Sequence, residues 1–166
     1  MKTYDVDAVE YIAKLADGGL RDSLSLLDKC LSYSEELTVE NIVKALGIAN
    51  YDTMINLTDA ILDGDVSGMI QRIEEVHASG VELKQFIRDY INFILDVNKY
   101  MAFGNFDFIK IPSTHENKDW LDAVVDSTVD GAISELLSTL INLNSAIKYD
   151  NTPKSMIECM LLEVMK

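Results

Sequence analysis

Apolar residues recur three and four positions apart along most of the chain, and glycines or polar clusters interrupt each run, a rhythm that predicts helices. Ala8, Val9, Ile12, Ala13, Leu15 and Ala16 form the first stripe, with Asp5 placed to cap it and Gly18 and Gly19 to end it. Leu20, Leu24, Leu27 and Leu31 define a second helical face from about Leu20 to Leu31. After a polar turn, Thr38 is placed to cap a third helix, Leu37 and Ile42 stand at the two positions of a hydrophobic staple, and Gly47 closes the end.

The same reading continues to the C-terminus. Asn50 is placed to cap a helix over 51–63 with Met54, Ile55, Leu57, Ile61 and Leu62 inward. Across the Asp63-Gly64-Asp65 turn, Val66, Met69, Ile70, Ile73 and Val76 carry the returning arm of an antiparallel hairpin. The longest pattern covers 82–103. Its positions Leu83, Phe86, Ile87, Tyr90, Ile91, Ile94, Leu95, Val97 and Met101 exceed one narrow face, which predicts burial on two sides. Residues 104–118 read as a loop with an extended portion, because Phe106, Phe108 and Ile111 alternate with polar neighbours before Pro112, and His115 falls within it. A short helix over 119–126 holds Trp120. Ser127 or Thr128 then caps a long helix to Ile147 with Ile133, Leu136, Leu137, Leu140, Ile141 and Leu143 inside. Pro153 suits the first turn of a last helix, whose stripe is Met156, Ile157, Met160, Leu161, Val164 and Met165. With no polar tail after that stripe, a natural chain running on beyond Lys166 is expected, while Met1 leaves the native start open.

The expected fold class is therefore all-α, divided into a small three-helix bundle at 1–49 and a larger helical domain at 50–166. Composition changes that picture little: among 166 residues, 48% are apolar and only two are proline, so long helices are permitted and a core is affordable.

Charge changes it more. A formal net charge of −14 makes a phosphate backbone an unfavourable partner, and with no basic patch in the sequence, direct nucleic-acid binding is not expected. No run of apolar residues is long enough for a membrane helix, and acidic residues follow Met1 where a signal peptide would be apolar. Cys30 and Cys159 each fall in an apolar helical pattern, consistent with reduced, core-packed thiols and a cytoplasmic location.

Candidate chemistry is sparse. His77 and His115 belong to no ligand spacing, so no metal site is expected. No GxxxxGK[ST] phosphate loop occurs, and the glycine pair follows a helix instead of a strand. Carboxylate pairs such as Glu35-Glu36 and Glu74-Glu75 read as solvated helix faces, and Met54, Met69, Met101, Met156, Met160 and Met165 as core filler. The residue out of place is Arg21. A cation in the first turn opposes the positive end of the helix dipole, and Asp22 beside it offsets part of that cost.

The stretch GGLRDSLSLLDK, Gly18 to Lys29, resembles the lid of the bacterial DNA polymerase III gamma/tau subunits, the AAA+ ATPases of the clamp loader. Arg21, Asp22, Ser23, Leu24, Ser25, Leu26, Leu27 and Asp28 reproduce the family's Arg-Asp-[Ala/Ser]-Leu-Ser-Leu-Leu-Asp helix in order, and Val43, Leu46 and Gly47 match its short third helix. The likeness is specific over about 5–48. Beyond 50 it rests on helix order and on the Asn-Thr-Pro-Lys segment, Asn151 to Lys154, before the last helix.

The resemblance implies an AAA+ lid at 1–49 and a collar, or oligomerisation domain, at 50–166. It also implies a role for Arg21 as the sensor-2 arginine, reaching from the lid towards the phosphates of ATP held with Mg on a P-loop domain. Such a guanidinium can bind phosphate oxygens bidentately; the other reading is a surface arginine, or one paired locally with Asp22. Because the sequence holds no phosphate loop, this chain is expected to bind no cofactor itself and to be no enzyme. Its expected partners are other clamp-loader subunits of gamma/tau, delta and delta-prime type, joined through the collar. The competing reading is a free-standing acidic helical adaptor unrelated to ATP.

Overall fold

The computed structural model describes residues 3–46, 51–129 and 131–166. Its architecture is all-α: α1 (Val6–Leu15), α2 (Leu20–Tyr33), α3 (Val39–Leu46), α4 (Tyr51–Leu62), α5 (Val66–Ala78), α6 (Leu83–Phe103), α7 (His115–Ser127), α8 (Ala132–Ile147) and α9 (Pro153–Val164). The periodicity did not announce a two-residue parallel ladder, β1 (Thr3–Tyr4) with β2 (Glu36–Leu37), in which the Asp5 N–H donates to the Leu37 carbonyl at 3.0 Å. Two-residue strands are too short to carry an alternating pattern.

Two separate apolar clusters organise these helices. Ala8, Tyr11, Ile12, Cys30, Leu37 and Ile42 form the smaller one, between α1, α2 and α3. Thr38 caps α3 through its hydroxyl, which accepts from the Asn41 N–H at 3.2 Å, and both staple residues, Leu37 and Ile42, are buried. The expected caps and stops at Gly47 and Asn50 lie outside the described residues.

The larger cluster runs from Met54 to Leu161 and is built around α6. Packed against it are α7, α8 and α9, while α4 and α5 form the expected hairpin, with Asp65 capping α5 by accepting from the Gly68 N–H at 3.0 Å. Aromatic rings run along α6: Phe86, Tyr90 and Phe93 stack in sequence, and Trp120 from α7 stacks on Phe93 at 5.7 Å while its indole N–H donates to Asp59 of α4 at 2.8 Å. The buried Tyr90 hydroxyl meets the Thr58 hydroxyl at 2.9 Å, so neither polar group is stranded in the core.

α6 is buried on two sides, yet its second side is occupied within the chain. Asp96, only 8% exposed, accepts the Lys110 N–H at 2.7 Å, which draws the 104–114 segment down so that Ile109 and Ile111 join the core. That segment contains no strand. The alternation around Phe106 and Phe108 is produced by a looped path in which Phe108 is exposed, and Thr114 caps α7 early enough to place His115 in its first turn.

Other expectations also change. α8 starts after Gly131, whose φ of 89° suits glycine, instead of at Ser127 or Thr128, which end α7. Val66, Ile70, Leu95 and Ile141 point outward although each fits its stripe, and Cys159 is exposed where a core thiol was expected. Helical spacing defines a face about one residue wider than the neighbouring helix covers.

Candidate functional site

The turn between α1 and α2 is shaped by its residues. Asp17 has φ of 48° and Gly18 φ of 80°, both left-handed, so the chain reverses sharply after α1. Gly19 follows as the N-cap of α2. A side chain there would meet Asp22 Oδ2 at 3.1 Å and the Ala16 carbonyl at 3.2 Å, so the close passage of α1's end under the first turn of α2 favours glycine. Asp22 lies over Gly19, in the position where a carboxylate favours a helix N-terminus.

Arg21 is exposed in this first turn. None of the ion pairs among the described residues involves it, so the local pair with Asp22 is not made. Its neighbours explain the surface around it: Leu20, Arg21, Leu24, Ser25 and Asp28 line one shallow hollow on the outer side of α2.

Here the structure corrects the expected stripe. Leu20 is 76% and Leu24 57% exposed, while the inner face of α2 is made by Ser23, Leu26, Leu27, Cys30 and Leu31. Leu20, Leu24, Leu27 and Leu31 thus divide between two faces. The sequence contains the signal for this in hindsight: α2 carries apolar residues at 20, 24, 26, 27, 30 and 31, more than one neighbouring pair of helices covers.

In chemical terms the outer face of α2 combines apolar area with the Arg21 guanidinium and the Asp28 carboxylate. The positive end of the α2 dipole adds to Arg21, while Asp22 and Asp28 place two carboxylates near it. This face lacks what nucleotide binding needs besides. Among the described residues no cluster of His, Cys, Asp or Glu is arranged to hold a metal ion, and the sequence offers no phosphate loop. His77 and His115 are on different helices, α5 and α7, and form no joint site.

A wider cleft of about 480 Å³ lies where the smaller helical group meets the larger, lined by Leu15, Tyr51, Asp89, Asp96, Lys99, Phe108 and Lys110 among others. Asp96 in its wall is engaged by the fold, through the Lys110 N–H and the Lys99 ammonium. Burial pushes the Asp96 carboxyl up, and the Lys110 N–H and Lys99 ammonium beside it pull the other way. Burial likewise pushes up the Tyr11 and Tyr51 phenols, whose neighbourhood to each other and to Asp96 adds to the effect on Tyr11.

Comparison with known proteins gives two family matches that together span nearly the chain. Residues 2–36 match a family described as DNA polymerase III clamp loader subunit, ATPase lid domain, and residues 37–166 match DNA polymerase III subunits gamma and tau domain III. Among individual relatives, DNA polymerase III subunit tau of Bacillus subtilis is 25% identical over 162 residues, covering 95% of this chain and 28% of that protein. The gamma/tau subunit of Mycoplasma genitalium is 31% identical over 57% of this chain and 16% of its own length. A plant relative, Protein STICHEL-like 2 of Arabidopsis thaliana, is 30% identical over 57% of this chain and 11% of its own length. The chain thus spans less than a third of each. The two family matches meet between Glu36 and Leu37, whereas packing joins α3 to α1 and α2 through Ile42.

Proposed function

The chain belongs to the DNA polymerase III gamma/tau family as a lid and collar of a clamp-loader subunit, and from that premise we propose that Arg21 is its nucleotide-sensing residue. In this reading α1–α3 form the lid and α4–α9 the collar. The lid's outer face, Leu20 and Leu24 with Arg21 between them, packs on a P-loop domain, and the Arg21 guanidinium hydrogen-bonds phosphate oxygens of the ATP bound there. ATP would bring the anionic oxygens that Arg21 binds, with Mg held by residues of the P-loop domain. The single observation that carries the reading is an exposed arginine with no carboxylate partner, set between two exposed leucines in a first helical turn.

The collar's role in this proposal is to hold gamma/tau, delta and delta-prime type subunits together while the lid relays nucleotide state for clamp loading. Because the second side of α6 is filled by residues 104–114, the contacts to neighbours come from outward apolar positions such as Ile141 on α8. Family membership replaces the reading as an unrelated adaptor.

Two measurements test this. Calorimetry of the chain itself is expected to detect no ATP binding; micromolar affinity would overturn the division of labour. With the chain joined behind the nucleotide-binding domain of a gamma/tau relative, Arg21→Ala is expected to lower ATP turnover at least about tenfold, since a charge-assisted hydrogen bond contributes roughly 1.5–3 kcal/mol. Unchanged turnover would return Arg21 to the status of a surface residue.

A further inference from the structure

Residues 104–114 pass from the end of α6 to the start of α7, and on the way they touch the lid at two places. Lys110 is the point of convergence. Its N–H donates to Asp96 Oδ2 of α6 at 2.7 Å, its carbonyl accepts from the Tyr51 hydroxyl at the start of α4 at 3.3 Å, and its ammonium lies 3.2 Å from Asp17 Oδ1. The second place is Phe106, whose carbonyl accepts from the Lys14 ammonium in the last turn of α1 at 2.9 Å.

Lys14 and Asp17 bracket the reversal that leads into α2, and Asp17 is the only non-glycine residue with positive φ among those described. Its carboxylate thus belongs to the turn itself. A cation fixed on that carboxylate therefore acts on the turn from which α2 and Arg21 project, while Leu26, Leu27 and Cys30 pack the rest of α2 on α1 and α3. Arg21 lies four residues beyond Asp17, across a turn that is also closed by the Gly19 N–H donating to the Ala16 carbonyl at 2.9 Å.

We propose that the 104–114 segment is a tether through which the collar positions the lid's arginine: Lys110, held on α6 by its backbone, grips Asp17, and Lys14 grips the Phe106 carbonyl. Lys110 is a positioning residue in this scheme, since it acts on Arg21 only through the turn. The Lys110–Asp17 pair is 52% and 78% exposed at its two side chains, which makes it screened by salt and readily broken. A link that yields suits an element that changes its angle. The consequence for ATP rests on the proposed role of Arg21; the mechanical link does not.

The test uses the chain itself, spin-labelled at the exposed Cys159 of α9 and at Ser25→Cys on the outer face of α2, while Cys30 stays buried and unlabelled. Pulsed electron-spin measurements are expected to give one narrow inter-label distance. Lys110→Glu should lose that single peak, and the charge swap Asp17→Lys with Lys110→Glu should restore it; Lys14→Met should broaden it as well. An unchanged distribution in Lys110→Glu, or no recovery in the swap, overturns the tether. Should Lys110→Glu fold poorly, neutral Lys110→Met keeps the question open to measurement, because molar salt should broaden the wild-type peak and leave that variant unaltered; equal salt responses overturn the proposal. Failure of the turnover test on Arg21 would remove the nucleotide-sensing reading and leave these distances untouched.

Discussion

The smaller helical group, α1–α3, and the larger one, α4–α9, solve the same problem with different completeness. In the larger group, α6 is surrounded by α4, α7, α8, α9 and the 104–114 segment, and most large side chains along it find cover, from Leu83 and Phe86 through Tyr90 to Tyr100, with Leu95 and Phe103 the exposed exceptions. Three short helices in the smaller group bury a cluster of six residues and leave Tyr4, Val6, Val9, Leu20, Leu24 and Tyr33 exposed. The lesson is that an element can be regular without being satisfied. An apolar face that its own helices do not cover, and that carries Arg21, is the surface the proposed function assigns to contact with a P-loop domain.

The largest expected effect that sharpens this contrast is in the core of the larger group. Leu136, fully buried on α8, should cost about 2–5 kcal/mol on replacement by alanine, read by urea denaturation. Leu24→Ala in the smaller group should change stability by no more than about 0.5 kcal/mol. Comparable losses at both sites would erase the distinction between a covered and an open face.

Next in size is Asp96. Replacing it by alanine leaves the Lys110 N–H without its acceptor and should cost about 1–3 kcal/mol. Its pH dependence has a definite sign. Burial raises the carboxyl above its ordinary value near 3.8, so between that value and the raised one the folded chain binds more protons than the unfolded chain, and stability contributed by this group grows as pH falls. The stability of wild type relative to Asp96→Asn should therefore increase from neutral pH towards pH about 4. A difference that shrinks instead would mean that Lys99 and the Lys110 N–H outweigh burial. Asp122 and Glu74 act oppositely: Lys118 and Lys154 hold their carboxyls below the usual range, and those contributions are lost as pH falls through the lowered values.

Smaller still is the cap of α3. Thr38→Ala removes the acceptor for the Asn41 N–H and should cost about 1 kcal/mol, with hydrogen exchange quickening in α3 before it does in α6. Simultaneous quickening throughout the chain would show that the two groups unfold as one unit, which would weaken the comparison. Last comes Arg21→Ala, whose effect on stability should stay within about 0.5 kcal/mol, because no partner is lost.

Much of this was legible before any coordinates. The helix starts at Leu20, Val66 and Pro153 follow from glycines, caps and proline acting on their immediate neighbours, and the oddity of Arg21 follows from the dipole of its own helix. Harder to read were the faces. Periodicity grouped Leu20 and Leu24 with Leu27 and Leu31, and it passed over Phe93, Tyr100 and Ile147 as core. Whether a stripe is covered depends on which helices arrive beside it, a matter of distant chain segments.

What this sequence determined by itself was local: an all-helical chain, its punctuation, and a glycine turn leading an arginine into an otherwise leucine-rich helix. Interactions of short range fix those features, since caps, left-handed turns and helix dipoles act within a few residues. Only the tertiary structure decided that Leu20 and Leu24 face outward, that Asp96 is buried against a loop fourteen residues away, and that Lys110 reaches Asp17 across 93 positions. Those outcomes depend on which surfaces meet after the helices have formed, and hydrophobic burial has no direction along the chain.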